Sequence, residues 1–259
     1  MKLIDTHCHL NADTYAASWK DVVINANHAG VSDFFVVGWD ELSSRKAIEL
    51  AKQNAQIKAI IGLHPVDINQ QSDYQWIYEM HREAPNFIVA IGEIGLDYYW
   101  KKEFHERELQ TQYLIKQIEI ANQLNLPIVI HCRDAYEAIL PILKNHRVQK
   151  GGVMHCYAGP SNMVQAFVDL GFYISFGGPI TFKNATESRL ALKATPVDRI
   201  LIETDSPYLS PHPLRGKENS PTNLTIIFQQ VSDTLQIPKE KLEHILYLNT
   251  LQAFHVKTI

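Results

Sequence analysis

Eight short apolar runs, each followed by a helical segment, constrain this chain more than any other feature. The runs lie near 2–6, 33–38, 58–62, 87–91, 127–130, 152–154, 172–176 and 199–202, with starts roughly 20 to 40 residues apart. They are continuous rather than alternating, as expected of strands covered on both faces. The intervening pattern predicts helices near 18–29, 41–54, 73–83, 103–124, 134–145, 161–170 and 186–194, and two more near 222–236 and 239–254. Gly30 suits a helix C-cap and Asp134 an N-cap. Leu42, Ala47, Ile48 and Ala51 are expected to form one buried helical stripe, and Leu114, Ile118 and Ala121 another. Repeated βα units of this kind predict an α/β fold, a single (β/α)8 TIM barrel of the metal-dependent hydrolase type, occupying residues 1–259 as one domain. The stretch 208–221, with Pro211, Pro213 and Pro221, reads as an ordered loop.

Composition agrees with this reading. A chain of 259 residues with 46% hydrophobic residues can bury a large core. A net charge of −4 argues against a broad electrostatic grip on nucleic acid, while leaving room for a pocket that takes one strand end. No apolar run reaches the length of a membrane span, and the N-terminus passes straight into a strand, so a soluble, unexported, cytoplasmic protein is expected. Cys8, Cys132 and Cys156 each follow a histidine directly. On a strand they point away from His7, His131 and His155, and they are expected to pack as buried, reduced thiols.

Ligand-type residues close the strands. His7 and His9 are two apart, hence on one strand face, where two imidazoles can grip a divalent ion. His64, Glu93, His131, His155 and Asp205 close later strands. A barrel gathers its strand ends at one mouth, whereas a doubly wound open sheet gives no reason for ligands at so many of them. His7, His9, His131 and His155 with Glu93 and Asp205 are too many for one zinc. They suffice for two ions bridged by a shared carboxylate, an arrangement that activates a water and clamps attacking and leaving oxygens. Glu93 and Asp205 weigh most, because a carboxylate closing an apolar strand is costly to bury unless paired or metal-bound.

The motifs then become specific. They are Asp5-Thr6-His7-Cys8-His9-Leu10, Gly62-Leu63-His64-Pro65, Gly92-Glu93-Ile94-Gly95-Leu96-Asp97-Tyr98-Tyr99, Ile130-His131-Cys132-Arg133-Asp134-Ala135, His155-Cys156-Tyr157-Ala158-Gly159, Gly178-Pro179-Ile180-Thr181-Phe182-Lys183-Asn184-Ala185 and Glu203-Thr204-Asp205-Ser206-Pro207-Tyr208-Leu209. Arg215-Gly216-Lys217 and Asn219 follow in the next loop. In these the chain resembles the TatD family of metal-dependent deoxyribonucleases, within the amidohydrolase superfamily. The resemblance runs from residue 3 to about 220 and thins through the last helices.

That resemblance implies two divalent cations per chain, zinc, manganese or magnesium. His7, His9, Glu93 and Asp205 would hold one, and Glu93, His131 and His155 the other, with Glu93 as the bridge. Asp205 would also orient or deprotonate the attacking water. Glu203 shares the face of Asp205 and either assists the site or supports its ligands. Arg133, two residues beyond His131, could fork onto a phosphate or prop a loop. His64 could donate to a phosphate oxygen or cap its loop, and Arg215 and Lys217 are either phosphate contacts or a solvated loop tip. Tyr98, Tyr99, Trp100 and Tyr157 could stack a base or serve in packing. The expected activity is hydrolysis of DNA phosphodiesters from single-stranded or frayed 3′ ends. The alternative is hydrolysis of an ester, amide or lactone by the same dinuclear site. No membrane and no protein partner is implied.

Overall fold

The computed structural model describes residues 2–257. Its strands and main helices, in chain order, are β1 (Leu3–Cys8), α1 (Trp19–Ala29), β2 (Val31–Val37), α2 (Glu41–Gln53), β3 (Ile57–Ile61), α3 (Gln75–Glu83), β4 (Ile88–Asp97) and α4 (Phe104–Leu124). β5 (Ile128–Arg133), α5 (Tyr136–Asn145), β6 (Gly152–Met154), α6 (Val164–Asp169), β7 (Phe172–Phe176), α7 (Thr186–Ala194), β8 (Ile200–Ile202), α8 (Leu224–Leu235) and α9 (Lys239–Ala253) complete them. All eight strands form one parallel sheet in sequence order. This is the (β/α)8 barrel.

Strand parity sets two layers inside the barrel. Lower inward positions are apolar: Ile4, Phe35, Ile60, Val89, Val129, Val153 and Leu201 make one inner core, capped by Phe254, whose ring lies 4.5 Å from that of Phe35. Ile94, Leu96, Ile130, Cys132 and Met154 point outward into the helical layer. The inward positions above the apolar layer therefore fall to Glu93, Asp97, His131 and His155. In β1 a register shift lies between Asp5 and Cys8, and Cys8 packs outward with its thiol 3.6 Å from Phe35 O.

β8 spans only three residues, and the seam to β1 is drawn together beyond its end. Asp205 N donates to His7 O (2.9 Å) and His9 N donates to Ser206 O (2.7 Å). Asp5, fully buried, accepts from both the backbone N and the hydroxyl of Thr204. Burial pushes the Asp5 carboxyl up to about 7 against the opposing pull of those hydrogen bonds. The seam thus sets His7, His9 and Asp205 side by side.

Several local expectations are corrected. Leu42 is 64% exposed, because the Asp40–Ser43 capping box phases α2 so that Ser44, Ala47, Ile48 and Ala51 face the sheet. Asp134 does not cap α5: it adopts φ 53°, and the N-cap position falls to Ala135, whose side chain makes no cap before the helix begins at Tyr136. The segment 161–170 opens as a 3-10 turn over Ser161–Met163 before α6. Cys8 and Cys132 are buried, but Cys156 is half-buried, and all three thiols are free. β4 continues to Asp97 and β5 to Arg133, so Glu93 and His131 lie within strands.

Gly95 keeps β4 and β5 in contact at this level. It pairs with His131 at φ 149°, and a Cβ there would lie 1.9 Å from His131 O. Gly95→Ala is therefore expected to lower stability by more than about 2 kcal/mol. An unchanged denaturation midpoint would contradict that packing.

Candidate metal centre

Seven side chains converge at the C-terminal mouth. Glu93 is central: its Oε1 lies 2.7 Å from His131 Nδ1, 3.0 Å from His155 Nε2 and 3.6 Å from His64 Nε2, while Oε2 lies 3.3 Å from His7 Nε2. Asp205 Oδ1 lies 3.3 Å from His9 Nε2 and 3.6 Å from His7 Nε2. Three groups have ligand atoms within 4.8 Å of one another: His7, Glu93 and His155; His7, His9 and Asp205; His64, Glu93 and His131. Each could hold a metal ion.

Outer contacts hold the imidazoles in place. His155 Nδ1 meets Glu203 Oε1 at 2.7 Å, leaving Nε2 for the centre. His9 Nδ1 donates to Val37 O at 2.9 Å, leaving its Nε2 for the centre. His131 Nε2 meets Asp97 Oδ2 at 2.9 Å, so its Nδ1 is the inward atom. Carboxylate or carbonyl partners of this kind fix the tautomer and raise ligand basicity. Glu203→Gln is expected to weaken metal affinity by roughly 10–100-fold. Competition with a chelator reads this, and wild-type affinity in the variant would show Glu203 to be dispensable.

Electrostatics favour the ligating forms of the two carboxylates and of His7. At His9, His131 and His155, by contrast, burial is outweighed by the neighbouring carboxylates, which raise the imidazoles above their usual range. Burial opposes the charge on Glu93, yet His155, His64 and His7 around it hold its carboxyl well below the usual range. Asp205 is likewise held low, against burial, by its hydrogen bond to His9 and the charges of His155 and His7. Burial lowers the His7 pKa, which favours the neutral, metal-binding imidazole. Both ring nitrogens of His7 are buried without a hydrogen-bond partner among the described residues. An orphaned imidazole amid imidazoles and anionic carboxylates fits a divalent cation.

Comparison with known proteins agrees. The family model described as TatD related DNase matches residues 4–255. The chain belongs to the TatD family. It is 39% identical to the uncharacterized metal-dependent hydrolase YabD of Bacillus subtilis, over 98% of this chain and 99% of that protein. It is 35% identical to the uncharacterized metal-dependent hydrolase YcfH of Escherichia coli, over 99% and 97% of the two chains. The crystal structure of YjjV, a TatD homolog from Escherichia coli, superposes with a TM-score of 0.93 at 28% identity, covering 98% of both chains. The protein is thus an enzyme, a metal-dependent hydrolase of the TatD family.

Other residues of this TatD-family hydrolase fall in different places. Arg133 is exposed beside the mouth, its guanidinium 3.7 Å above the Tyr99 ring and 5.8 Å from that of Trp100. Tyr99 and Trp100 are exposed, whereas Tyr157 is buried, its hydroxyl donating to Pro160 O, and serves in packing. Arg215 lies over the Phe182 ring at 4.5 Å, and Lys217 is exposed. Among the described residues neither forms a hydrogen bond or ion pair with the cluster. His64 caps its loop, its Nδ1 accepting from Val66 N at 3.2 Å, and its ring also lies 4.5 Å from that of His131 at the edge of the cluster.

One site residue escapes the sequence reading. Asp97 is buried, receives Trp100 N at 2.7 Å and holds His131, and its backbone N donates to Gln110 Oε1. Its signal was spacing: Asp97 stands four residues beyond Glu93 and so shares its face, provided the strand runs on through Gly95.

Proposed function

We propose that this hydrolase is a two-metal phosphodiesterase that shortens DNA from exposed, single-stranded 3′ ends. The observation that carries the reading is the position of Glu93. One carboxylate oxygen faces His131 and His155, and the other faces His7, beside His9 and Asp205. A carboxylate so placed suits a bridge between two divalent cations, His7, His9 and Asp205 holding one and His131 and His155 the other. His64 stands within reach of the second group. The imidazole donors favour zinc or manganese over magnesium, and the carboxylates also admit magnesium.

Such ions supply Lewis-acid polarisation of a phosphate and lower the pKa of the attacking water. The chain's own residues do the rest. Asp205, kept anionic by its histidine neighbours, takes the proton of that water. Glu203 keeps His155 aimed inward, and Asp97 does the same for His131. Arg133, held flat against Tyr99, offers its guanidinium edge to a phosphate oxygen at the rim. The exposed faces of Trp100 and Tyr208 support stacking of an unpaired base near the cut. Entry of a strand end, rather than a duplex, suits a barrel mouth. Three unpaired thiols support a reducing, cytoplasmic setting.

Arg133→Ala is expected to reduce phosphodiester cleavage by about 1.5–3 kcal/mol, the worth of a hydrogen bond to a charged group. Any activity on a neutral carboxyl ester should be unaffected. Parallel assays on a 3′-overhang oligonucleotide and an ester test this. An equal loss on both substrates would remove Arg133 from phosphate recognition.

A further inference from the structure

At the opposite end of the barrel, beneath the starts of β6, β7 and β8, lies a cavity of about 740 Å³. It is lined by Lys144, Arg147, Lys150 and Arg199, with His255 at its edge and Asp169 the lining carboxylate. Four cations against one anion leave a local excess of three positive charges, on a chain whose net charge is −4. Among the described residues none of the four cations is in an ion pair. Asp169 accepts from Gln165 Nε2 at 2.7 Å. The inner core ends at Phe254, so this cavity is separated from the metal centre by the whole apolar layer.

Lys144 and Arg147 are exposed and Lys150 and Arg199 half-buried, so this excess of positive charge faces solvent and attracts anions. We propose that this cavity is a second anion site, for a ligand carrying two or more linked phosphates. Its volume lies within the usual range for small-ligand sites. Two arginine forks and two lysine ammoniums match a multiply charged phosphate chain better than a single monoanion. Tyr173 is almost fully buried and its ring carries the Arg199 guanidinium at 4.8 Å, so no open aromatic face is offered to a base. The phosphate chain is therefore the recognised group. The wall is preorganised: Gly151 and Gly171, both at positive φ, approach so closely that a Cβ on Gly151 would lie 2.4 Å from Gly171 O. His255 Nε2 donates to Lys150 O at 2.8 Å, tying the chain after α9 to the same wall. This assignment does not depend on the reaction at the metal centre.

Titration calorimetry of the metal-loaded protein with tripolyphosphate, ATP and inorganic phosphate tests it. Tripolyphosphate should bind, inorganic phosphate should bind at least tenfold more weakly, and binding should weaken as salt is raised. The double variant Arg147→Glu/Lys150→Glu, remote from the metal centre, should lose at least tenfold in tripolyphosphate affinity while keeping wild-type metal content and melting temperature. Glu93→Gln, which alters the metal centre, should retain the binding. Tighter ATP than tripolyphosphate binding would assign the site to a nucleotide, and equal binding to the phosphate chain alone. No binding by the wild type, undiminished binding by the charge-reversed pair, or binding lost only in Glu93→Gln would overturn the proposal.

Discussion

Replacing Glu93 with Gln is expected to release at least one ion and to cut hydrolysis by more than about 10³-fold, or about 4 kcal/mol of transition-state stabilisation. Gln keeps the volume and one carbonyl oxygen but loses the charge and the second acceptor. Both Glu93 oxygens face imidazoles, three around Oε1 and His7 near Oε2. An amide must present its NH2 to one half of the cluster, where it can neither ligate a cation nor accept from an imidazole. The fold should survive, because Glu93 stands above the apolar inner layer that holds the strands together. Metal analysis with steady-state rates checks this. Two ions still bound at wild-type affinity would contradict the bridging role.

Asp205→Asn should lower the rate by roughly 10²–10⁴-fold, the usual contribution of a positioned general base. It should also behave differently towards metal. Asp205 touches His7 and His9, whereas His131 and His155 sit on the Glu93 Oε1 side. The variant should therefore keep an ion at His131 and His155 while loosening the one at His7 and His9. Crystals of the variant soaked in manganese would show this as unequal anomalous peaks. Full activity in the Asp205→Asn variant would remove Asp205 from proton transfer.

Much of this arrangement was legible in the sequence because strand parity holds locally at the ligands, although β1 slips once between Ile4 and His7, which both face inward. His7 and His9 inward, with Cys8 outward, follows from a period of two, as does His131 against Cys132. The barrel was legible from eight apolar runs that needed cover on both faces. Illegible parts have physical reasons too. Gly92 and Gly95 read as the end of β4, since glycine weakens strands, yet the close approach to His131 O requires Gly95 inside one. Asp97 was hidden by that misreading. Leu42 read as core because its neighbours at helical spacing are apolar, but the capping box sets the helix phase. Glu203 could be placed on the right face, but its contact with His155 spans 48 residues and appears only when the barrel closes.

The most direct measurement follows a single-stranded oligonucleotide labelled at its 5′ end, incubated with protein that is metal-loaded, chelated, or chelated and then restored with manganese, alongside a carboxyl ester. Stepwise shortening from the 3′ end that chelation abolishes and manganese restores is the expected result. An oligonucleotide left intact while the ester is cleaved in a metal-dependent way would contradict a phosphodiesterase and assign the centre to carboxyl chemistry.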